Sequence, residues 1–393
     1  MKIVHVITDL AVGGAETSLV RLIRAGRHEG VQHAVISLSS QAPLADVLAQ
    51  EGIEVRVLGM ERDRTRARSI LQLVKWLDEL QPDVVQTWMY HADLLAGMCV
   101  YAAQLLRRVR GSSLPRPVLS WGIHHTDLRL KGSSRSTRWI AKACAFLSSK
   151  VPDVIVCCAE AARSSHSEGG YCGSKMIVIP NGIDLAQFRT DEHAASALRR
   201  RLGLPESTAL VGTVGRYHPV KDYGTFSEAL RVLHKTMPEC HFIMVGRGLE
   251  ASNEELVSLL KTSGVLDRCH LLGPQSEPQA LLAGLDVFCL SSKSEALPTV
   301  IAEAMACQVP CVATNVGDTA YLIGETGRLV PPERPQELGQ ALAAVLAIPS
   351  TERGQLGKAA RHRVEQLFSI ERSWKSYQQV YRNALKERRR ATV

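Results

Sequence analysis

"LDVFCLSSKSEALPTVIAEAMACQVPCVATNVG", Leu285 to Gly317, reads as one β-loop-α-β unit. Its first six residues are apolar except for Asp286 and include a β-branched and an aromatic side chain. The run stops at serines, as a buried strand does on entering a loop. Pro298 suits the first position of a helix, where its missing N–H costs nothing. "VPCVATNVG" then reads as the next strand, so the unit belongs to a parallel sheet. Two carboxylates interrupt this apolar stretch, Glu295 in the loop and Glu303 about a turn and a half into the helix. A carboxylate withdrawn from water must find hydrogen-bond donors or take up a proton. Something should therefore meet both. Glu295 sits at the carboxyl end of a strand, where ligands gather in open parallel sheets.

The same alternation extends outward in both directions. "IVHVI", "HAVISL", "EVRVL", "DVVQTW", "VLSWGI", "DVIVCC" and "MIVIP" form a first series of strand-like runs. "ALVGTVG", "HFIMVG", "CHLLG", "DVFCL", "CVATN" and "GRLV" form a second. Helical patterns separate them, which predicts two doubly wound α/β domains. "IPNGIDLAQF" between the series carries a Pro-Asn-Gly turn signal, placing a linker near Asn181 to Phe188. The expected division is residues 1–183, residues 184–368, and a C-terminal helix over 369–393 returning toward the first domain. In that last segment Trp374, Tyr377, Val380 and Tyr381 recur at helical spacing, which predicts a stripe docked on a sheet domain.

Composition bounds the function. With 393 residues and 45% hydrophobic content the chain is long enough for two cores. It opens directly on a strand pattern, with no secretory leader signature, so a cytoplasmic protein is expected. "LLAGMCVYAAQLL" is too short to span a bilayer and reads as a buried helix. The ten cysteines include no C-x-x-C pair and none at ligand spacing with histidine, so reduced core cysteines are expected and no metal site. The net charge of +8 concentrates at Arg62, Arg64, Arg66 and Arg68, at Arg107, Arg108 and Arg110, at Lys131, Arg135 and Arg138, and at the C-terminus. Such runs are usually solvated faces. The sharper reading is attraction to anionic lipid headgroups or anionic glycan. Nucleic acid is not expected, because no stacking aromatics are interleaved with these charges.

Glycine-rich turns mark the strand ends. Gly13 and Gly14 in "LAVGGAETSL" follow the first strand and let a ligand approach the start of the next helix. The spacing is not G-x-G-x-x-G, and no acidic residue closes a second strand, so a dinucleotide site is not expected. Gly246 in "VGRGLE" is a strand-end turn. "VGRYHPVKD" places Gly215, Arg216 and Lys221 at the carboxyl end of the second domain's first strand, where the two cations could meet a diphosphate.

"GGAE", "GRYHPVK", "PNGID" and the E-x7-E pair Glu295/Glu303, in this order over nearly the whole chain, resemble the retaining glycosyltransferases of the GT-B fold, in the group 1 or family 4 type. The resemblance implies two Rossmann-like domains facing across a cleft, with acceptor in the first and nucleotide sugar in the second. It implies that Arg216 and Lys221 hold the donor diphosphate in place of a metal, and that Glu295 binds hydroxyls of the donor sugar. Glu303 would bind the ribose, the backbone near Ala296 and Leu297 would add to the phosphate cradle, and Gly14 would lie under the phosphates. It also implies a histidine near the reacting sugar, either His124 or His125, with His124 preferred as the first residue past the apolar run. The expected activity is transfer of a sugar, from UDP more readily than from another nucleotide, to a lipid-linked or polysaccharide acceptor of a cell-surface glycan such as lipopolysaccharide. No cofactor or metal is expected. The expected location is the cytoplasm, with peripheral attachment to the inner membrane. Two rivals remain, a sugar-nucleotide 2-epimerase and a non-catalytic nucleotide-sugar-binding protein.

Overall fold

The structure is a computed structural model that describes residues 1–60, 67–111, 115–126 and 135–390. It divides into two compact units, Met1–Gly182 with Ile370–Val393, and Ile183–Ser369. Unit 1 runs β1 (Lys2–Ile7), α1 (Gly14–Arg27), β2 (Gln32–Ser37), α2 (Pro43–Gln50), β3 (Glu54–Val57), α3 (Ala67–Leu80), β4 (Val84–Trp88), α4 (Tyr90–Val109), β5 (Val118–Ile123), α5 (Arg135–Leu147), β6 (Val154–Cys157), α6 (Glu160–Glu168) and β7 (Met176–Val178). Unit 2 runs α7 (Ala194–Arg201), β8 (Leu210–Val214), α8 (Tyr223–Thr236), β9 (His241–Val245), α9 (Glu254–Thr262), β10 (Cys269–Gly273), α10 (Pro278–Ala283), β11 (Val287–Leu290), α11 (Thr299–Ala306), β12 (Cys311–Thr314), α12 (Thr319–Ile323), β13 (Gly327–Val330), α13 (Pro335–Leu346) and α14 (Ser350–Leu367). The last helix, α15 (Ile370–Arg390), belongs to unit 1.

Each apolar run quoted above falls on a strand. In unit 1 the strand order is β3-β2-β1-β4-β5-β6-β7, and in unit 2 it is β10-β9-β8-β11-β12-β13. Every pairing between strands is parallel. The chain is thus two Rossmann-like units, as a GT-B protein requires. Strands buried on both faces read as continuous apolar runs, which is why periodicity found them: β4, β5, β6, β11 and β12 have no exposed residue. In each sheet the order reverses once, between β1 and β4 and between β8 and β11. The loops after those strands flank the crevice where such sheets bind ligands.

The aromatic stripe of α15 packs into the core of unit 1. Trp374, Tyr377 and Tyr381 are buried there, and Tyr381 Oη donates to Gln86 Oε1 at 2.9 Å. The two places where the chain passes between units lie against each other. A Cβ at Gly182 would stand 2.5 Å from Ile370 Cα, and Ser373 Oγ donates to Pro180 O at 2.7 Å. On the unit 2 side Ile183 N donates to Phe368 O at 2.8 Å. Only glycine fits at residue 182.

Two expectations fail. The stretch "LLAGMCVYAAQLL" lies in α4, which is buried on one side only. Met98, Tyr101, Leu105, Leu106 and Val109 are exposed on the other. Alternation of buried and exposed apolar residues along a helix is invisible to hydropathy when both faces are apolar. Arg107 is not part of a basic surface either. It is 5% exposed, with Nε 2.6 Å from Asp78 Oδ1 and Nη2 donating to the Leu77 and Asp78 carbonyls, so it clamps α4 to α3. Arg110 also meets Asp78, at 2.9 Å. Arg62, Arg64, Arg66 and Lys131 lie outside the described residues. All ten cysteines are free and eight are buried, in line with reduced core residues.

A histidine pair sits under α15. Trp88 Nε1 donates to His5 Nδ1 at 3.3 Å, so His5 Nε2 carries the proton toward His33 Nδ1 at 3.0 Å. His33 lies 5.7 Å from the Trp374 ring. Burial pushes the His5 pKa well down and that of His33 to about 4. His124, His241 and His270 are also lowered, first of all by burial. An unfolded histidine takes its proton near 6.5, while these folded ones wait for lower pH, so the unfolded state binds more protons in between. The histidines' contribution to stability is therefore full above about pH 6.5 and is lost as pH falls toward about 4. Thermal melts should show the midpoint falling already between pH 6.5 and 5, above the range where carboxylates titrate. A flat midpoint across that interval would contradict the buried neutral pair.

Candidate nucleotide-sugar site

The loop after β8 and the loop after β11 come from neighbouring strands of unit 2, paired Val287 to Val211 and Phe288 to Gly212. That adjacency carries their side chains together. Lys221 Nζ lies 2.6 Å from Glu295 Oε1, and Ser292 Oγ donates to the same oxygen at 2.6 Å. The side chains of Lys221 and Glu295 are 21% and 15% exposed. The carboxylate that the sequence left in need of donors has found an ammonium and a hydroxyl.

The backbone fixes this arrangement. Ser291 Oγ donates to Lys221 O at 2.8 Å, and Lys293 N donates to Val220 O at 2.7 Å, so the two loops are stitched together. Thr314 Oγ1 at the end of β12 donates to Ser292 O at 2.6 Å. Asp318 N donates to Ala296 O at 2.9 Å. Asp222, at φ +52°, caps α8 by accepting from Thr225 N at 3.3 Å. His218 Nδ1 accepts from Val220 N at 3.2 Å, which closes the short turn that carries Lys221. Burial, and after it Arg216 and Lys221, lower the His218 pKa, so this ring is neutral when it accepts.

Gly215 and Gly246 are adjacent turns behind the pair. A Cβ at Gly246, whose φ is +134°, would fall 1.9 Å from Gly215 O, and one at Gly215 would stand 3.3 Å from Tyr223 Oη. Gly246 thus has both the backbone and the contact that demand glycine. The phenol of Tyr223 is buried, and burial together with the nearby Glu295 charge raises its pKa. It stacks on Tyr217 at 5.4 Å. Arg216 is exposed and forms no ion pair with any described residue. Ala296 is half-buried and Leu297 buried in the loop before α11. Pro298 proves to be the N-cap and Thr299 the first helical residue, and no side chain caps the α11 start. Glu303 is half-buried on α11, the fifth residue of that helix. The pair of glutamates is therefore split: Glu295 joins Lys221 and Ser292, while Glu303 stands further along the helix.

In unit 1 the expected residues also lie past strand ends. Gly13 is the N-cap of α1, which begins at Gly14 with no side-chain cap. A Cβ at Gly14 would touch nothing within 4 Å, so described neighbours do not require glycine there. His124 follows β5 and stacks on Trp88, ring centroids 4.7 Å apart and 15° from parallel. Both of its ring nitrogens are buried with no hydrogen-bond partner among the described residues, and burial, then the neighbouring His125, lowers its pKa to about 3. It is a neutral ring with two unused polar atoms. His125 is exposed and stacks on Tyr90 at 6.2 Å.

Sequence reasoning missed the supports of that ring. Trp88 and Met89 make the turn out of β4, Met89 at φ +75°, and Met89 N donates to Gly122 O at 3.0 Å. A non-glycine residue there is strained, which is common where a side chain must be aimed. Asp93 is fully buried beneath the turn, accepts from Thr87 Oγ1, and has its pKa raised to about 8 by burial. Nothing in the one-dimensional pattern singles out an aspartate inside an apolar helix run except its isolation there. Ser292 was legible only as a strand-end serine.

Known proteins resemble this chain in both halves. Residues 12–187 match the family described as Glycosyltransferase Family 4, and residues 208–347 match Glycosyl transferases group 1. D-inositol 3-phosphate glycosyltransferase of Segniliparus rotundus is 32% identical over 222 residues, 54% of this chain and 48% of that protein. UDP-Gal:alpha-D-GlcNAc-diphosphoundecaprenol alpha-1,3-galactosyltransferase of Escherichia coli is 30% identical over 151 residues, 38% of this chain and 39% of that protein. The chain spans roughly half the length of the first curated relatives it matches, between 41% and 52%. Among solved structures, HepE of Anabaena with UDP and glucose superposes with TM-score 0.83 at 21% identity, over 98% of this chain and 100% of that one. Sucrose-phosphate synthase of Thermosynechococcus elongatus gives TM-score 0.78 at 20% identity, over 98% and 100%. At such identities these two likenesses show the fold.

Proposed function

Because this chain belongs to the GT-B glycosyltransferases of group 1 and family 4, we propose that it is a retaining hexosyltransferase that moves one sugar from a UDP-sugar to a lipid-linked or polysaccharide acceptor. The observation that carries the reading is the Lys221–Glu295 contact of 2.6 Å beside the reversal point of the unit 2 sheet. A cation and a carboxylate held side by side suit a donor whose diphosphate is anionic and whose sugar offers hydroxyl groups. Arg216, exposed on the same loop as Lys221 and acting with it on His218, adds a second cation.

Breaking the sugar–diphosphate bond places positive character on the sugar and negative charge on the departing phosphate. Lys221 and Arg216 stabilise that charge, and the uncapped amides at the α11 start add to it. Glu295 orients the donor sugar and Glu303 the ribose. The acceptor hydroxyl attacks as the phosphate leaves, and its proton passes to the leaving diphosphate. His124, neutral and with ring nitrogens that no described residue engages, is the residue of unit 1 we assign to a sugar hydroxyl. The proposed setting is cell-surface glycan synthesis at the cytoplasmic face of a membrane. The galactosyltransferase of Escherichia coli, by its name acting on a diphosphoundecaprenol-linked sugar, supports a lipid-linked acceptor.

The test is nucleotide release from a panel of nucleotide sugars, with and without a lipid extract. A UDP-sugar should be consumed, faster with extract, and EDTA should change nothing because side-chain cations do the work of a metal. An epimerase would consume the donor at the same rate without acceptor. Loss of activity in EDTA, restored by Mg²⁺, would remove Arg216 and Lys221 from the proposed role.

A further inference from the structure

In unit 1 the crossovers from β3 to β4, β4 to β5 and β5 to β6 all advance in one direction across the sheet, so α3, α4 and α5 share one side of it. Helices α4 and α5 pack directly, with Cys144 Sγ donating to Tyr90 O at 3.5 Å. The outer face of such a helix layer is ordinarily charged. Here the outer stripe of α4 is Met98, Tyr101, Leu105 and Val109, 56%, 41%, 64% and 79% exposed. On α5 the outer stripe alternates aromatic and cation: Arg135, Trp139, Lys142, Phe146, with Trp139 73% and Phe146 78% exposed. Lys142 Nζ stands 5.5 Å from the Trp139 ring centroid.

We infer that the exposed α4–α5 face is a docking surface for an anionic lipid bilayer. Four features of the face favour a bilayer over a second copy or a protein partner. A tryptophan flanked by Arg and Lys is interfacial chemistry, its ring seated among headgroups and the cations at phosphate level. The charge is all of one sign: α5 contains no acidic residue, and the one acid of α4, Asp93, is fully buried. Arg138 and Arg108 stand exposed on the same two helices, so the cations surround the apolar stripe. Finally, no helix among the described residues is long and apolar enough to cross a membrane, so contact through this face means lying on the surface. The inference rests on the reading of a lipid-linked acceptor only for its purpose, since the face would bring the enzyme to the membrane that holds that acceptor.

The test uses the full chain and vesicles containing no acceptor. Phosphatidylcholine vesicles with phosphatidylglycerol should float the protein, vesicles of phosphatidylcholine alone should float much less, and added salt should reduce recovery. Brominated acyl chains should quench Trp139 fluorescence, and Trp139→Phe should abolish that quenching while keeping flotation. The double variant Trp139→Ser/Phe146→Ser should bind anionic vesicles roughly tenfold more weakly. Nucleotide release from soluble donor should be unchanged in it, since neither residue belongs to the donor site. Equal flotation of parent and double variant would overturn the inference. So would a dimer by light scattering that the double variant dissolves, with no vesicle binding by the parent. Failure of the acceptor reading looks different: flotation persists while lipid extract does not stimulate nucleotide release.

Discussion

Arg216→Ala and Lys221→Met are each expected to lower the turnover number for nucleotide release by about 2–4 kcal/mol in barrier, roughly thirtyfold to a thousandfold. The expected loss is in kcat and not only in donor affinity, because the cations act on charge that grows as the phosphate departs. The two variants should differ in stability. Arg216 is exposed and forms no ion pair with a described residue, so its loss should leave the unfolding midpoint in place. Lys221 is the cation 2.6 Å from a largely buried carboxylate, and its removal leaves Glu295 with the Ser292 hydroxyl as its one side-chain partner among the described residues. An orphaned group of that kind costs about 1–3 kcal/mol. Rates from single-turnover assays and urea midpoints check both halves. An Arg216→Ala enzyme with normal turnover would defeat the phosphate role.

Glu295→Gln and Glu303→Gln should produce different defects. Glu295 meets the donor sugar in the proposed mode and is held by Lys221, so its amide variant should alter which donor sugars are accepted and should lower turnover with all of them. Glu303 stands further along α11, assigned to the ribose. Its amide variant should weaken every donor of one nucleotide alike, by about 1–3 kcal/mol for a lost charged hydrogen bond, and should weaken free nucleoside diphosphate equally. Titration calorimetry with the diphosphate separates them. If it binds Glu303→Gln as well as the parent, the ribose assignment falls.

The strands were legible because parallel strands buried on both faces concentrate apolar residues into short runs that end at Gly, Ser or Asn. The position of Glu295 was legible for the same reason, since a charge at a strand end has few structural uses. Its partner was not: Lys221 lies 74 residues away, and only the pairing of β8 with β11 brings the two together. Helix α4 was misread because hydropathy counts apolar residues without knowing which side water is on. Arg107 was misread because charge alone does not reveal Asp78 on the neighbouring helix. The supports of His124, namely Trp88, strained Met89 and buried Asp93, depend on backbone angles and burial that no spacing encodes.

The close approach of Gly182 and Ile370 makes unit 2 an insertion within unit 1, and this orders events during synthesis. Unit 2 is one continuous segment and can complete its core as soon as Ser369 has left the ribosome. Unit 1 cannot, because Trp374, Tyr377 and Tyr381 are part of its core and emerge only after the whole of unit 2. The nascent first domain therefore waits with an uncovered apolar surface under the future site of α15, exposed to aggregation or to chaperones for the time needed to translate roughly two hundred residues. A stop codon before residue 370 would strand the first domain in that incomplete state and leave the second whole.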